Sequence, residues 1–348
     1  MKIGDKTIGT GSPCFIIAEL SANHNGNIDV AVETIKAARK AGADAIKLQT
    51  YTPDTLTIDC DNDYFKISGG TLWDGKTLYE LYGEAYTPWE WHEKLFEVAR
   101  EEGLVCFSSP FDVTAVDFLE GFSVPAYKIA SFEIQDIPLI EYAASQGKPM
   151  LISTGMAQEN DIQLAIDTCK KVGNTEIILL KCTSSYPAPL ELSNLNTIPD
   201  MKDRFGVEVG FSDHTYGSLA PTIAVTLGAK VIEKHFILDK SIGGPDADFS
   251  LDVNEFTEMV KAIRDTEKLL GSVSYKLSEK VKKNRKFSRS LFIVKNVKEG
   301  ELVTKENMRS IRPGYGLHPK YYNKILGKKF IMDVHRGEPL SLNMIESL

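Results

Sequence analysis

Eight short apolar runs, most of them separated by a helical stretch, set the tightest limit on how this chain can fold. The runs are Phe15–Ala18, Ala45–Leu48, Val105–Phe107, Ala126–Ile129, Met150–Ile152, Ile177–Leu180, Val207–Phe211 and Ala229–Ile232. Helical patterns fall at Val30–Ala41, Trp89–Glu102, Thr114–Leu119, Pro138–Gln146, Asn160–Val172 and Ser218–Leu227, and Asn254–Leu270 closes the series. Short β-branched runs read as buried strands and longer periodic stretches as amphipathic helices. Eight strands alternating with helices over roughly 270 residues match the size of a (β/α)8 TIM barrel. A doubly wound open sheet is the rival architecture. Against it, no GxGxxG follows the first run.

The punctuation agrees with this reading. Gly42, Gly103, Gly147, Gly173 and Gly228 stand where helices should stop, and Asp29, Thr87 and Asp112 stand where N-caps are expected. Three connections are long: an insertion at Thr50–Tyr86, a proline-containing loop at Ser184–Arg204, and Ile237–Asp252 after the eighth run. All three follow strands, on the edge where barrel enzymes build their sites. From Ser288 the pattern changes to short strands and turns, with Leu291–Val297 as a strand, Lys298–Glu301 as a turn and Thr304 as a helix cap. The chain therefore divides into a barrel over 1–272, a basic linker over 273–286 and a small β-rich domain over 287–348.

A formal net charge of -8 disfavours a general nucleic-acid-binding role. No apolar run reaches membrane-spanning length and no secretory leader pattern is visible. The five cysteines, Cys14, Cys60, Cys106, Cys169 and Cys182, lack metal-binding spacing and read as free, buried thiols. A cytoplasmic protein is expected.

Polar side chains recur where the strands end. Glu19 closes the first; Lys47 and Gln49, two apart, share a face of the second. Ser108-Ser109, Lys128 with Ser131 and Glu133, Ser153-Thr154, and Lys181 with Thr183, Ser184 and Tyr186 mark the next four. Ser212, His214, Glu233 and His235 mark the last two. Each alone has a plain reading: a lysine reaching solvent, a serine capping the next helix. In a barrel they converge. Lysines and hydroxyls suit a phosphate plus a carboxylate. A lone histidine is as readily a structural hydrogen-bonder. The pair His214 and His235, at neighbouring strand ends, points to a shared divalent metal such as Mn, Co or Zn, with positions left for substrate. His92 reads as structural, and His24 as either a loop hydrogen-bonder or part of the site lining.

The ordered motifs IAELSANHNG, KLQTY, SSPFD, YKIAS, ISTGM, KCTSSYPAP, GFSDHT, EKHF and GGPDADFS resemble the sialic acid synthase family, and RSLFIVKNVKEGELVTKENMRSIRPGYGL resembles its antifreeze-protein-like (SAF) domain. The insertion GGTLWDGKTLYELYGEAYTPWEWH is most similar to the pseudaminic acid branch. The resemblance implies condensation of phosphoenolpyruvate with an N-acetylated amino sugar aldehyde, releasing phosphate. It implies a metal, most often Mn2+ with Co2+ or Mg2+ as alternatives, on His214 and His235. It places Lys47, Gln49, Ser109, Lys128, Ser131, Ser153, Ser184 and Ser212 around phosphoenolpyruvate, and Glu133, Tyr186 and Asp246 against the sugar. Glu19 is the candidate for handling the water proton. Arg312 would reach the partner's site in a domain-swapped homodimer. Family members often carry Asn at Ser184 and Thr at Ser109; the first exchange removes an amide donor. Synthesis of N-acetylneuraminate or legionaminate, a metal-dependent pyruvate aldolase and a non-catalytic sugar-binding module are the alternatives.

Overall fold

The computed structural model describes residues 1–68, 70 and 73–347. Gly69, Thr71 and Leu72 of the insertion motif, and Leu348, lie outside the described residues. Eight parallel strands close a barrel: β1 (Phe15–Glu19), β2 (Ala45–Thr50), β3 (Val105–Pro110), β4 (Tyr127–Ile129), β5 (Met150–Ser153), β6 (Ile177–Cys182), β7 (Glu208–Asp213) and β8 (Val231–His235), with β8 pairing back onto β1. The register sets His235 beside Glu19, Glu19 beside Lys47, and Gln49 beside Ser109. Neighbouring strands thus deliver their last polar residues to one level. Except for β4, every strand runs on past its apolar run into polar residues.

The helices that alternate with the strands are α1 (Ile28–Lys40), α2 (His92–Glu101), α3 (Val113–Glu120), α4 (Ile137–Ser145), α5 (Glu159–Lys171), α6 (Thr197–Phe205), α7 (Leu219–Thr226) and α8 (Val253–Leu270), and the insertion after β2 adds the helices Pro53–Leu56 and Leu78–Ala85. Every residue of β1 is buried, as expected of a parallel strand covered on both faces. At Gly210 in β7 an added Cβ would lie 2.6 Å from Leu180 Cδ2 and 2.6 Å from the Val231 carbonyl oxygen, so this position admits no side chain beside Leu180.

Local differences from the sequence reading have physical causes. Asp112 caps α3, but α1 is capped by Asn27, with Asp29 in its first turn. Thr87 is no cap; its hydroxyl meets His24 instead. The connection after β6 is shorter than expected because α6 occupies its second half. Pro199 sits in the first turn, where no intrahelical N–H is required, while Ile198 and Met201 face the core. The expected glycine stops all carry positive φ, between 69° at Gly103 and 105° at Gly228. All five cysteines are free, and Cys60 is only half-buried.

The chain forms two compact units, 1–271 and 272–348. The second has its own core around Leu291, Ile293, Met308, Phe330 and Leu340. It contains an antiparallel pair, β9 (Ser290–Ile293) and β10 (Met308–Ile311), and several isolated bridges. Thr304 heads a turn rather than a helix: its hydroxyl accepts from the Glu306 N–H and its carbonyl from Met308. The stretch read as a linker holds a short helix, Glu279–Asn284. No helix among the described residues is long and apolar enough to cross a membrane.

Candidate active site

The carboxyl ends of the barrel strands hold a buried, charged network. Lys47 Nζ lies 2.6 Å from Glu19 Oε2, 3.8 Å from Glu233 Oε2 and 3.2 Å from Ser109 Oγ. Lys128 Nζ lies 3.5 Å from Glu233 Oε1, which also accepts from the Ser212 hydroxyl at 2.9 Å. The Gln49 amide donates to Glu19 Oε1 and to Ser21 Oγ, and Ser21 donates to Asp246. Glu19, Lys47, Lys128 and Glu233 are each at most 5% exposed. Four ionisable groups out of water cost several kcal/mol each unless paired, so removal of any one leaves an uncompensated charge. Burial pushes the Glu19 carboxyl up to about 7 against the pull of Lys47. It pushes Glu133 up to about 7 as well.

Beside the network is a cradle of small groups. The Gly155 N–H donates to Ser131 Oγ at 3.2 Å, and the Ser131 hydroxyl also bonds the Cys182 thiol. A Cβ on Gly155 would fall 2.2 Å from Ser184 Oγ and 2.8 Å from Ser131 Oγ. Ser153 Oγ, Ser184 Oγ and Glu133 Oε2 are buried and have no hydrogen-bond partner among the described residues. Buried polar atoms are nearly always paired, so a group of orphans marks where a polar ligand belongs.

The two histidines complete the site. His214 donates from Nδ1 to the Thr183 carbonyl at 3.0 Å, which leaves Nε2 as the nitrogen available to a ligand. His235 Nδ1 is buried without a hydrogen-bond partner, 3.7 Å from Asp246 Oδ2. The ring centroids stand 5.4 Å apart. Burial, then the charges of His214 and the nearby lysines, hold His235 well below the usual histidine range, so its ring is neutral. Tyr186 packs 4.4 Å from His214, and Phe249 packs 4.9 Å from His235. Burial opposes charge on His214, but Cys182 and the Thr183 carbonyl raise its pKa above the usual histidine range, so an ion would displace its proton. Two imidazole nitrogens near a carboxylate suit a borderline divalent ion. Among the described residues no three His, Cys, Asp or Glu side chains form a ligand set, so water or substrate would have to complete the coordination.

Every expected site residue except Arg312 therefore stands at this edge of the barrel. Arg312 belongs to the second unit, directly after β10, and is exposed. His24 is buried and bonded within its loop, and His92 is buried between Thr50 and Pro88, so both are structural. The sequence reading gave no role to Ser21 or Gly155 at their strand ends and took Cys182 for a plain buried thiol. Cys182 Sγ lies 3.8 Å from His214 Nδ1. Burial opposes ionisation of this thiol, yet the neighbouring His214 brings it down to about 7. Its place two residues before Ser184 was the available signal.

The chain belongs to the NeuB family, whose model matches residues 34–275, and a SAF domain model matches residues 288–346. It is 52% identical over 340 residues to a pseudaminic acid synthase of Campylobacter jejuni, covering 98% of both chains. It is 49% identical over 335 residues to a pseudaminic acid synthase of Helicobacter pylori, covering 96% of this chain and 98% of the other. Among solved structures, an N-acetylneuraminic acid synthetase from Leptospira borgpetersenii, in complex with citrate, superposes with a TM-score of 0.73 at 31% identity, covering 82% of this chain and 94% of that one.

Proposed function

We propose that this chain is a pseudaminic acid synthase. It condenses phosphoenolpyruvate with 2,4-diacetamido-2,4,6-trideoxy-altrose to a nine-carbon 2-keto acid and releases phosphate. The observation that carries this reading is the orphaned, buried set Ser153 Oγ, Ser184 Oγ and Glu133 Oε2 beside Lys47 and Lys128, in a chain about half identical to two pseudaminic acid synthases.

Lys47 and Lys128 neutralise the carboxylate and phosphate of phosphoenolpyruvate in a site where water no longer screens them. Ser131, Ser153 and Ser184 supply hydroxyls, the last two without a partner of their own among the described residues. The shorter Ser184 reaches into the space that Gly155 leaves open. Gln49, Ser109 and Ser212 hold the carboxylates and lysines in place. Glu133, Tyr186 and Asp246 face the sugar. The enol carbon attacks the aldehyde carbon, a C–C bond forms and positive charge appears at C2. Water adds there, and the tetrahedral centre expels phosphate by breaking its C–O bond. Glu19, poised near neutrality, accepts the water proton. A divalent ion held by His214 and His235, Mn2+ by preference, supplies Lewis-acid polarisation of the aldehyde oxygen when bound.

In this reading the barrel, 1–272, carries the chemistry, 273–286 is a connector and 287–348 brings Arg312 to the partner's site in a domain-exchanged homodimer. The exposed apolar side chains Leu269, Val273, Tyr275 and Phe287, from 57% to 96% exposed, support such an exchange, because a partner would cover them. Phosphoenolpyruvate is a cytoplasmic metabolite, and the same compartment is proposed for the protein. The deciding experiment offers phosphoenolpyruvate and Mn2+ with the altro-configured sugar and with the precursors of N-acetylneuraminate and legionaminate. Phosphate release and the 2-keto acid mass are expected with the first sugar above the others. Equal or better turnover of another precursor overturns the assignment. Label at the bridging oxygen of phosphoenolpyruvate should leave with phosphate; label kept in the sugar acid contradicts C–O cleavage.

A further inference from the structure

One buried charge pair lies outside the chemistry described so far. Lys234 and Asp213 are Cα partners on β8 and β7. Their side chains are both 0% exposed, and Lys234 Nζ lies 2.6 Å from Asp213 Oδ2. The strands alternate their faces, so Glu233 and His235 share one face of β8 and Lys234 takes the other, toward the helices. Barrel-to-helix layers are normally filled by Ile, Val or Leu. An apolar pair of similar volume would be as stable there, because desolvation offsets most of the Coulomb gain. Stability alone therefore does not account for the pair.

Its remaining hydrogen bonds show what it holds. Asp213 Oδ1 accepts the Thr215 N–H at 2.9 Å, and Lys234 also donates to the Thr215 carbonyl. The pair clamps the chain immediately before and after His214. Lys234 itself immediately precedes His235. A shift of either strand end would move one imidazole against the other, and the clamp spans both ends.

We propose that Asp213 and Lys234 are positioning residues that set the separation and aim of His214 and His235. This rests on the reading of the two histidines as the metal pair. Polar groups that orient metal ligands typically contribute about 10–100-fold in affinity. The double variant Asp213→Asn/Lys234→Met removes both charges and leaves no lone buried ion. It should remain folded by circular dichroism, bind Mn2+ about 10–100-fold more weakly by electron paramagnetic resonance titration, and keep the wild-type KM for phosphoenolpyruvate. Excess Mn2+ should restore much of its kcat. If that variant does not accumulate as folded protein, Asp213→Glu tests the same point, since it keeps both charges but displaces the carboxylate by one methylene.

His235→Ala is the control. Weaker Mn2+ binding by His235→Ala with unchanged binding by the folded pair variant overturns the positioning role alone. Equal Mn2+ binding by wild type and His235→Ala overturns the metal reading, and the positioning role falls with it.

Discussion

Gly155 shows how a single missing methyl group shapes the site. Its φ is not in the left-handed region, so the requirement for glycine is spatial. The hydroxyls of Ser131 and Ser184 occupy the volume a Cβ would need. Gly155→Ala should therefore fold normally and fail locally. Overpacking of this kind costs about 1–3 kcal/mol, and here it displaces the hydroxyls rather than the core. The expected result is a KM for phosphoenolpyruvate raised roughly 10–100-fold with little change in melting temperature. A variant with wild-type KM would remove the cradle from the anion site.

At the level of elements, the loop between β1 and α1 is held by a neutral histidine. The Gly26 N–H donates to His24 Nδ1, so the ring proton sits on Nε2 and meets Thr87 Oγ1 at 3.1 Å. Protonation would set one N–H against another. Burial lowers the pKa of His24 from 6.5 to about 4. The unfolded chain then binds a proton below pH 6.5 that the folded chain refuses until about pH 4. This contribution to stability is full above pH 6.5 and falls by about 3 kcal/mol as the pH drops to 4. Glu19 and Glu133, with pKa values raised to about 7, act in the opposite sense, since the folded state takes up their protons first. The total curve mixes both effects, so the test is a difference. The stability gap between wild type and His24→Gln, from urea unfolding, should shrink as pH falls from 7 to 4.5. A constant gap would refute the assignment.

At the scale of the whole molecule, Arg312 is the expected site residue that the barrel unit does not carry. It is exposed on a unit with its own core, while every other expected site residue lies in the barrel unit. If the second units exchange between subunits, two dead chains should rescue each other. His235→Ala and Arg312→Ala should each lose most activity alone. Unfolded and refolded together, they should regain turnover, because one site of each mixed dimer combines His235 from one chain with Arg312 from the other. No recovery in verified mixed dimers would place Arg312 in its own chain's site or outside the mechanism.

Much of this architecture was legible in the linear chain. Alternating apolar runs and helical periods specify strands and helices, and the exits of parallel strands in a closed barrel must converge. Glu19, Lys47, Lys128, Ser153 and His235 were therefore recognisable as one site before any distance was known. Other features were decided only by tertiary structure. The folding of α6 across Pro199 depended on Ile198 and Met201 finding a core. The assignment of His24 to structure depended on burial and on which partners face each ring nitrogen, whereas His92 already read as structural. The importance of Gly155 and Cys182 lay in what stands across from them on other strands. The Asp213–Lys234 pair reads in sequence as two ordinary charges, because pairing and desolvation are properties of neighbours distant in the chain.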